Sequence, residues 1–341
     1  MKNKKILIYG ANGYTGKLFA KHLIEKGIRP ILAGRSNKVV NLAKEMACES
    51  MVFSIENAAE NIKDIDALIN LAGPFSITQE SLIKACIEAR VHYLDIAGEY
   101  NEVKKSFEYS LQARKAGIIV LPAAGFGVVP TDIAAKTACD LIEKPTRLTI
   151  AFATEGGVSR GTLKTVLKDI HKSGVILTNG KYEKAFAGRK EMQVNVFDKT
   201  FKAVNNPWRA DLFTAKLSTK VEHLETYSEF PGLVVSMMKG KLLWLRNMIL
   251  KSFVQLLPEG PSEKQLKKGN TFVRVEALNE DGKKAVVELK GPEAYYFTII
   301  CLHKMLELIF QSKLTACLTP SALGTEWIKQ LDNVEIKSQV F

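Results

Sequence analysis

Residues 6–16 read Ile6-Leu7-Ile8-Tyr9-Gly10-Ala11-Asn12-Gly13-Tyr14-Thr15-Gly16. Four apolar residues ended by glycine predict a short strand buried on both faces, as in a parallel sheet. The glycines are spaced G-x-x-G-x-x-G. Gly10 lets the chain turn sharply out of the strand, Gly13 lets backbone approach a pyrophosphate, and Gly16 lets the next helix pack close to the sheet. From Lys17 to Lys26 the apolar residues Leu18, Phe19, Leu23 and Ile24 recur at helical spacing. A second strand, Pro30–Gly34, closes a unit of about thirty residues: strand, glycine turn, helix, strand. The helix N-terminus offers N–H groups and a positive dipole end to phosphates.

The second strand selects the cofactor. A carboxylate at its end would bind a ribose 2′-hydroxyl, but the chain reads Gly34-Arg35-Ser36-Asn37-Lys38. A guanidinium with a hydroxyl beside it suits a 2′-phosphate, so Arg35 and Ser36 predict NADP(H).

The alternation continues. Met51–Ile55, Ala67–Ala72, Tyr93–Ala97 and Ile118–Leu121 read as further strands, with helices over Ser81–Ala89 and up to Lys115. Repeated strand–helix units predict a right-handed parallel sheet. Ligands bind outside the carboxyl ends of such strands. Ala72-Gly73-Pro74, Gly98 and Gly125-Phe126 are therefore expected to line the nicotinamide half of the site. Beyond Thr146 the pattern changes. Thr271–Glu276 and Ala285–Leu289 alternate with period two around Asn279-Glu-Asp-Gly282, a hairpin signal. The fold class expected is α/β, a Rossmann-type parallel-sheet domain followed by an α+β mixed-sheet domain. The boundaries expected are 1–141 for nucleotide binding, 145–290 for substrate and dimer contacts, and 291–341 for C-terminal helices.

Composition narrows the class. The chain has 341 residues, 46% hydrophobic and 25% charged, which excludes wholesale disorder. Its five cysteines are scattered without a C-x-x-C pair, which argues against a disulfide framework or a zinc site; no metal is expected. Met1-Lys-Asn-Lys-Lys5 is followed by only four apolar residues, too few for a secretory h-region, so a cytoplasmic location is expected. Of the +12 net charge, +8 falls within residues 160–260, with 17 basic and 9 acidic residues. Nucleic acid is not expected, because the basic residues are not interleaved with stacking aromatics and no recognition motif is present.

Several of these motifs together resemble the saccharopine dehydrogenase-like oxidoreductases, and more closely their trans-acting enoyl reductase branch. The matching pieces are Tyr9–Gly16, Leu32–Ser36, Asn70–Pro74, Tyr93–Glu99, Gly125–Asp132, Pro258–Ser262, Gly291–Tyr295 and Leu318–Ala322. The resemblance implies an NADP-binding oxidoreductase, and tilts the substrate toward a lipid-like or enoyl compound over an amino acid. One departure stands out. Where the family commonly has Gly-Phe-Asp-Ser-x-Pro, this chain has Gly127 and Val128 in place of the acid and the hydroxyl.

A reductase needs a proton donor beside the hydride. Tyr100-Asn-Glu-Val-Lys104 matches the Y-x-x-x-K spacing of a phenol–ammonium pair, but a solvated helix start is the favoured reading. Glu99, with Asp95 nearby, stands at a strand's carboxyl end, where it would act as a general acid if buried or as a cap on the next helix; the cap is the favoured reading. His92 falls on the opposite side of the sheet and His22 reads as a helix-surface residue. Thr162, Lys164 and His171 are candidates by location alone.

Residues 233–257 interleave Lys239, Lys241, Arg246 and Lys251 with apolar groups and carry no acid. Three readings stay open: core or homodimer face, lid over an acyl substrate, or a peripheral membrane contact. The expected function is NADPH-dependent reduction of a C=C or C=N bond in a small or lipid-like substrate. The alternative is a non-catalytic NADPH-binding sensor or lipid-surface protein.

Overall fold

The computed structural model describes residues 3–157, 172–240 and 260–341. Strands β1 (Ile6–Tyr9), β2 (Ile31–Gly34), β3 (Ser50–Val52), β4 (Ala67–Asn70), β5 (His92–Asp95) and β6 (Ile119–Leu121) alternate with helices. These are α1 (Tyr14–Glu25), α2 (Lys38–Glu45), α3 (Ala58–Asn61), α4 (Phe75–Ala89), α5 (Tyr100–Phe107) and α6 (Ser110–Ala116). The strands pair in parallel in the order β3-β2-β1-β4-β5-β6. This is the doubly wound order, with its switch point between β1 and β4. All four residues of β1, of β2 and of β4 are buried, as strands covered on both faces require.

A seventh parallel strand, β15 (Ala316–Cys317), comes from the far end of the chain and pairs with β6. The sequence reading gave this tail helices only. Two residues carry too little pattern to betray a strand, and β16 (Glu335–Val340) is an exposed strand on which alternation is muted.

The second sheet is mixed. Its strands are β7 (Pro145–Thr154), β8 (Gly174–Thr178), β9 (Lys181–Ala185), β10 (Glu191–Val196), β11 (Lys199–Asn205), β12 (His223–Ser228), β13 (Asn270–Asn279), β14 (Lys284–Pro292) and β16. The main path runs β10-β11-β12-β7-β13-β14-β16, with β12 and β7 parallel and the other pairs antiparallel. The β13–β14 hairpin turns at the predicted Asn279–Gly282. The α/β class with a parallel sheet and a mixed sheet is as the sequence predicts.

The chain divides into two compact units, Met1–Gly127 with Thr298–Leu323, and Val128–Phe297 with Gly324–Phe341. The sequence boundaries at 141 and 291 compare with changeovers here after Gly127 and Phe297. Helix α7 (Val129–Asp140) packs on β13 and β14, which places it with the second sheet. Four further helices are α8 (Asp211–Thr219), α9 (Gly232–Met238), α10 (Glu263–Lys268) and α11 (Ala294–Gln311). Within the second unit, Asp211 is fully buried and accepts from Arg209 Nε at 2.6 Å and from the Thr131 hydroxyl. Among the described residues, no helix is long and apolar enough to cross a membrane.

Candidate active site at the carboxyl edge of the parallel sheet

The predicted glycine turn joins β1 to α1. Gly10 has φ +84°, and a Cβ there would lie 2.7 Å from the Ala72 nitrogen. A Cβ on Gly16 would lie 2.5 Å from the Gly10 carbonyl oxygen. Any side chain at either position would push the turn, the helix or the β4 end apart. The Gly10 amide donates to Ala33 O at 2.9 Å and the Gly13 amide to Gly10 O at 3.0 Å, which fixes the turn against β2. No side chain caps α1, and its first turn holds no acid. A helix start without a capping side chain or an acid in its first turn offers a positive dipole end suited to an anion. Gly13, Tyr14 and Thr15 are partly exposed there, whereas Gly16 is buried.

Arg35, Ser36 and Asn37 follow β2 and are exposed, with no acid among them. Asn12 reaches toward this end: its Oδ1 lies 3.4 Å from where a Gly34 Cβ would be. The turn and the basic end of β2 are therefore neighbours.

Ala72-Gly73-Pro74 follows β4, Gly98 follows β5, and Gly125-Phe126 follows β6, all at the same edge of the sheet. Gly125 packs closely, since a Cβ there would lie 3.0 Å from Ile96 Cγ2, and the Phe126 amide donates to Thr298 Oγ1 at 3.1 Å. Asn70 Oδ1 accepts from the Ala72 amide at 3.0 Å, and Thr78 Oγ1 donates to Ala72 O at 2.7 Å. Sequence reasoning did not single out Asn70, Thr78, Gln79 or Tyr93, whose polar groups are buried at this edge. A polar residue ending an apolar strand was the available signal.

Glu99 stands at the N-cap position of α5, yet its side chain makes no capping bond. The favoured cap reading is corrected on that point: Oε2 instead accepts from the Gly98 amide at 2.9 Å. Burial raises the proton affinity of Glu99, and the charges of Glu102 and Asp95 raise it further. Tyr100 is 7% exposed, and Lys104 Nζ lies over its ring, 5.8 Å from the centroid. The Y-x-x-x-K pair is thus a cation over a ring face.

The histidines are placed elsewhere. His92 Nδ1 accepts from the Ile119 amide at 3.0 Å, so it is a satisfied structural residue. His22 is not a simple surface residue: its Nε2 lies 2.9 Å from Nδ1 of His303. Thr162, Lys164 and His171 lie outside the described residues, as do 241–257 of the basic apolar segment. Among the described residues no group of three or more His, Cys, Asp or Glu could hold a metal ion.

Residues 6–121 match the model of the saccharopine dehydrogenase NADP binding domain. A lipid droplet localized protein of Caenorhabditis elegans is 27% identical over 151 residues, 39% of this chain and 35% of its own length. A trans-acting enoyl reductase of Mycobacterium tuberculosis is 30% identical over 143 residues, 38% of this chain and 34% of its own length. The matched stretch thus spans about a third of each relative. Apo saccharopine dehydrogenase (L-Glu forming) from Saccharomyces cerevisiae shares the fold, with a TM-score of 0.67 at 13% identity over 99% of this chain and 100% of that one. An exposed guanidinium and hydroxyl where an acid would select NAD fit NADP(H). Residues 6–121 are thus similar to the saccharopine dehydrogenase NADP binding domain, and the chain shares the saccharopine dehydrogenase fold.

Proposed function

We propose that this chain is an NADPH-dependent reductase of an activated C=C or C=N bond, with Glu99 as its proton donor. The carrying observation is the Glu99 carboxyl. It stands at the carboxyl edge of the parallel sheet, is not used as a helix cap, and is held toward its protonated form by burial. The glycine turn would hold the pyrophosphate, Arg35 and Ser36 the 2′-phosphate, and the turns at Ala72–Pro74, Gly98 and Gly125–Phe126 the nicotinamide half. Bound NADPH supplies the hydride. Glu99 gives its proton to the other atom of the reduced bond, is left as a carboxylate, and regains a proton from solvent. A raised proton affinity keeps the donor loaded closer to neutral pH. The names of the nematode and mycobacterial relatives favour a lipid-like or enoyl substrate.

The test is NADPH oxidation across enoyl thioesters, imines and carbonyls, with Glu99→Gln beside the parent chain. Expected is turnover with one class, and a fall in kcat of about a hundredfold or more in Glu99→Gln, with NADPH binding retained. Unchanged kcat in the variant would place the donor elsewhere.

A second reading is a lipid-surface NADPH sensor. On the second unit, Phe186 and Leu233 are exposed at 51% and 49%, and Leu233 lies in the first turn of α9, where the basic apolar segment starts. Of that segment's cations, Lys239 already pairs with Glu191 at 2.6 Å. NADPH binding without turnover on any substrate, together with sedimentation on anionic liposomes, would favour this reading.

A further inference from the structure

Asp95 ends β5 and is 0% exposed. Each of its carboxyl oxygens takes two donors. Oδ2 accepts from Gln79 Nε2 at 2.7 Å and from the Tyr93 hydroxyl at 2.9 Å. Oδ1 accepts from the Ala97 amide at 2.9 Å and the Ala123 amide at 3.0 Å. Its carbonyl oxygen accepts from the Ala124 amide at 2.7 Å. Four donors on one carboxyl stabilise its ionised form, while burial, the larger effect, raises its proton affinity above the ordinary carboxylate value.

The donors come from different places. Gln79 is on α4, Ala97 follows β5, and Ala123 and Ala124 follow β6. The turn after β4 joins through Tyr93, whose hydroxyl accepts from Asn70 Nδ2 at 3.0 Å. Asn70 in turn holds the Ala72 amide and donates to Thr78 Oγ1 at 3.1 Å. One buried carboxyl group therefore ties together the turns after β4, β5 and β6. The phosphate turn has its own backbone bonds to β2 and, among the described residues, touches this network by packing of Gly10 on Ala72 and not by a backbone bond.

We propose that Asp95 is a positioning residue that holds these three turns in one arrangement, so that the nicotinamide half of NADPH meets a ready-formed seat. It does not touch the cofactor. The proposal rests on the assignment of this edge to NADPH. A seat built in advance spares the ligand the cost of ordering three loops. In Asp95→Asn one oxygen becomes an N–H₂ group that faces donors, either the two loop amides or Gln79 and Tyr93.

The experiment compares two ligands, NADPH and 2′-phospho-ADP-ribose, which keeps the phosphates and lacks the nicotinamide. Binding is measured by calorimetry, and the emission of bound NADPH reports the nicotinamide's surroundings. In Asp95→Asn, NADPH binding is expected to weaken about ten- to a hundredfold, with altered emission. Binding of 2′-phospho-ADP-ribose is expected to change less than about threefold. Gln79→Leu removes one donor and keeps both loop amides on Oδ1, so it guards against loss of folding. It is expected to show the same selective loss in smaller measure. Equal losses for both ligands, or no loss for NADPH, in a folded variant would overturn the positioning role alone. A parent chain that binds neither ligand would overturn the NADPH assignment and this role with it.

Discussion

Arg35 is one exposed side chain, and the proposed cofactor preference rests on it. A charge-assisted bond from its guanidinium to a 2′-phosphate is worth about 1.5–3 kcal/mol. Arg35→Ala is therefore expected to weaken NADPH about ten- to a hundredfold and to leave NADH nearly unchanged. Titration of both nucleotides checks this, and an equal effect on the two would remove Arg35 from the 2′-phosphate. The glycine turn and the exposed position of Arg35 were legible in the sequence because each is set by residues within a few positions of each other. Asp95 was visible only as an acid near a strand end. Its donors Gln79 and Ala123 lie 16 and 28 residues away, and no local pattern announces that they converge. Glu99 occupies the cap position expected of a carboxylate before a helix, but its side chain bends to the Gly98 amide instead of bonding the helix.

Glu293, which precedes helix α11, and His22, which faces that helix from α1, have titrations that oppose each other. Glu293 precedes the helix, is 0% exposed, and its Oε2 accepts from the Tyr295 and Tyr296 amides at 2.7 and 3.2 Å. Its Oε1 is buried without a partner. Burial pushes its pKa from 4.5 up to about 7. Between those values the folded chain holds a proton that the unfolded chain has lost, so stability falls as pH rises through the window. The whole loss is on the order of 3 kcal/mol. His303, on the same helix, faces His22 of α1 across 2.9 Å, with Glu307 Oε1 3.8 Å from its Nε2. Burial, aided by the His303 and Lys26 charges, lowers the His22 pKa from 6.5 to about 4. There the unfolded chain holds the extra proton, so this contribution is complete above pH 6.5 and lost as pH falls toward 4. Melting curves from pH 4 to 8 separate the two. Glu293→Gln is expected to remove the decline toward neutral pH, and His22→Gln to soften the loss on the acid side. Curves that merely shift in parallel with the parent's would show that neither group titrates as argued. A helix in this stretch was expected from the sequence; the pairing of His22 with a residue 281 positions away was not.

At the scale of the molecule, the nucleotide-binding unit is not one continuous stretch. Residues Thr298–Leu323 belong to it with Met1–Gly127. They bring β15 to the open side of β6, and the Cys317 amide to Ser110 Oγ at 3.2 Å. They also bring Leu302, Met305, Leu306 and Ile309, each 1% exposed or less. Burying one such side chain contributes about 1.5–3 kcal/mol. Four of them amount to roughly the whole net stability of a domain, about 5–15 kcal/mol. A sequence reading finds the strand–helix alternation of residues 6–121 because each unit repeats the same local pattern. It cannot see that a short segment 200 residues later completes the sheet, because nothing local marks Ala316-Cys317 as a strand. The consequence is specific. Residues 1–141, the span the sequence alone would choose for expression, are expected to lack a cooperative thermal transition. They would bind NADPH at least about tenfold more weakly than the full chain, having lost the surface that covers β6. Circular dichroism melting and NADPH titration of the two proteins decide it. A fragment that melts cooperatively and binds NADPH as the full chain does would show that the C-terminal segment adds only a dispensable edge.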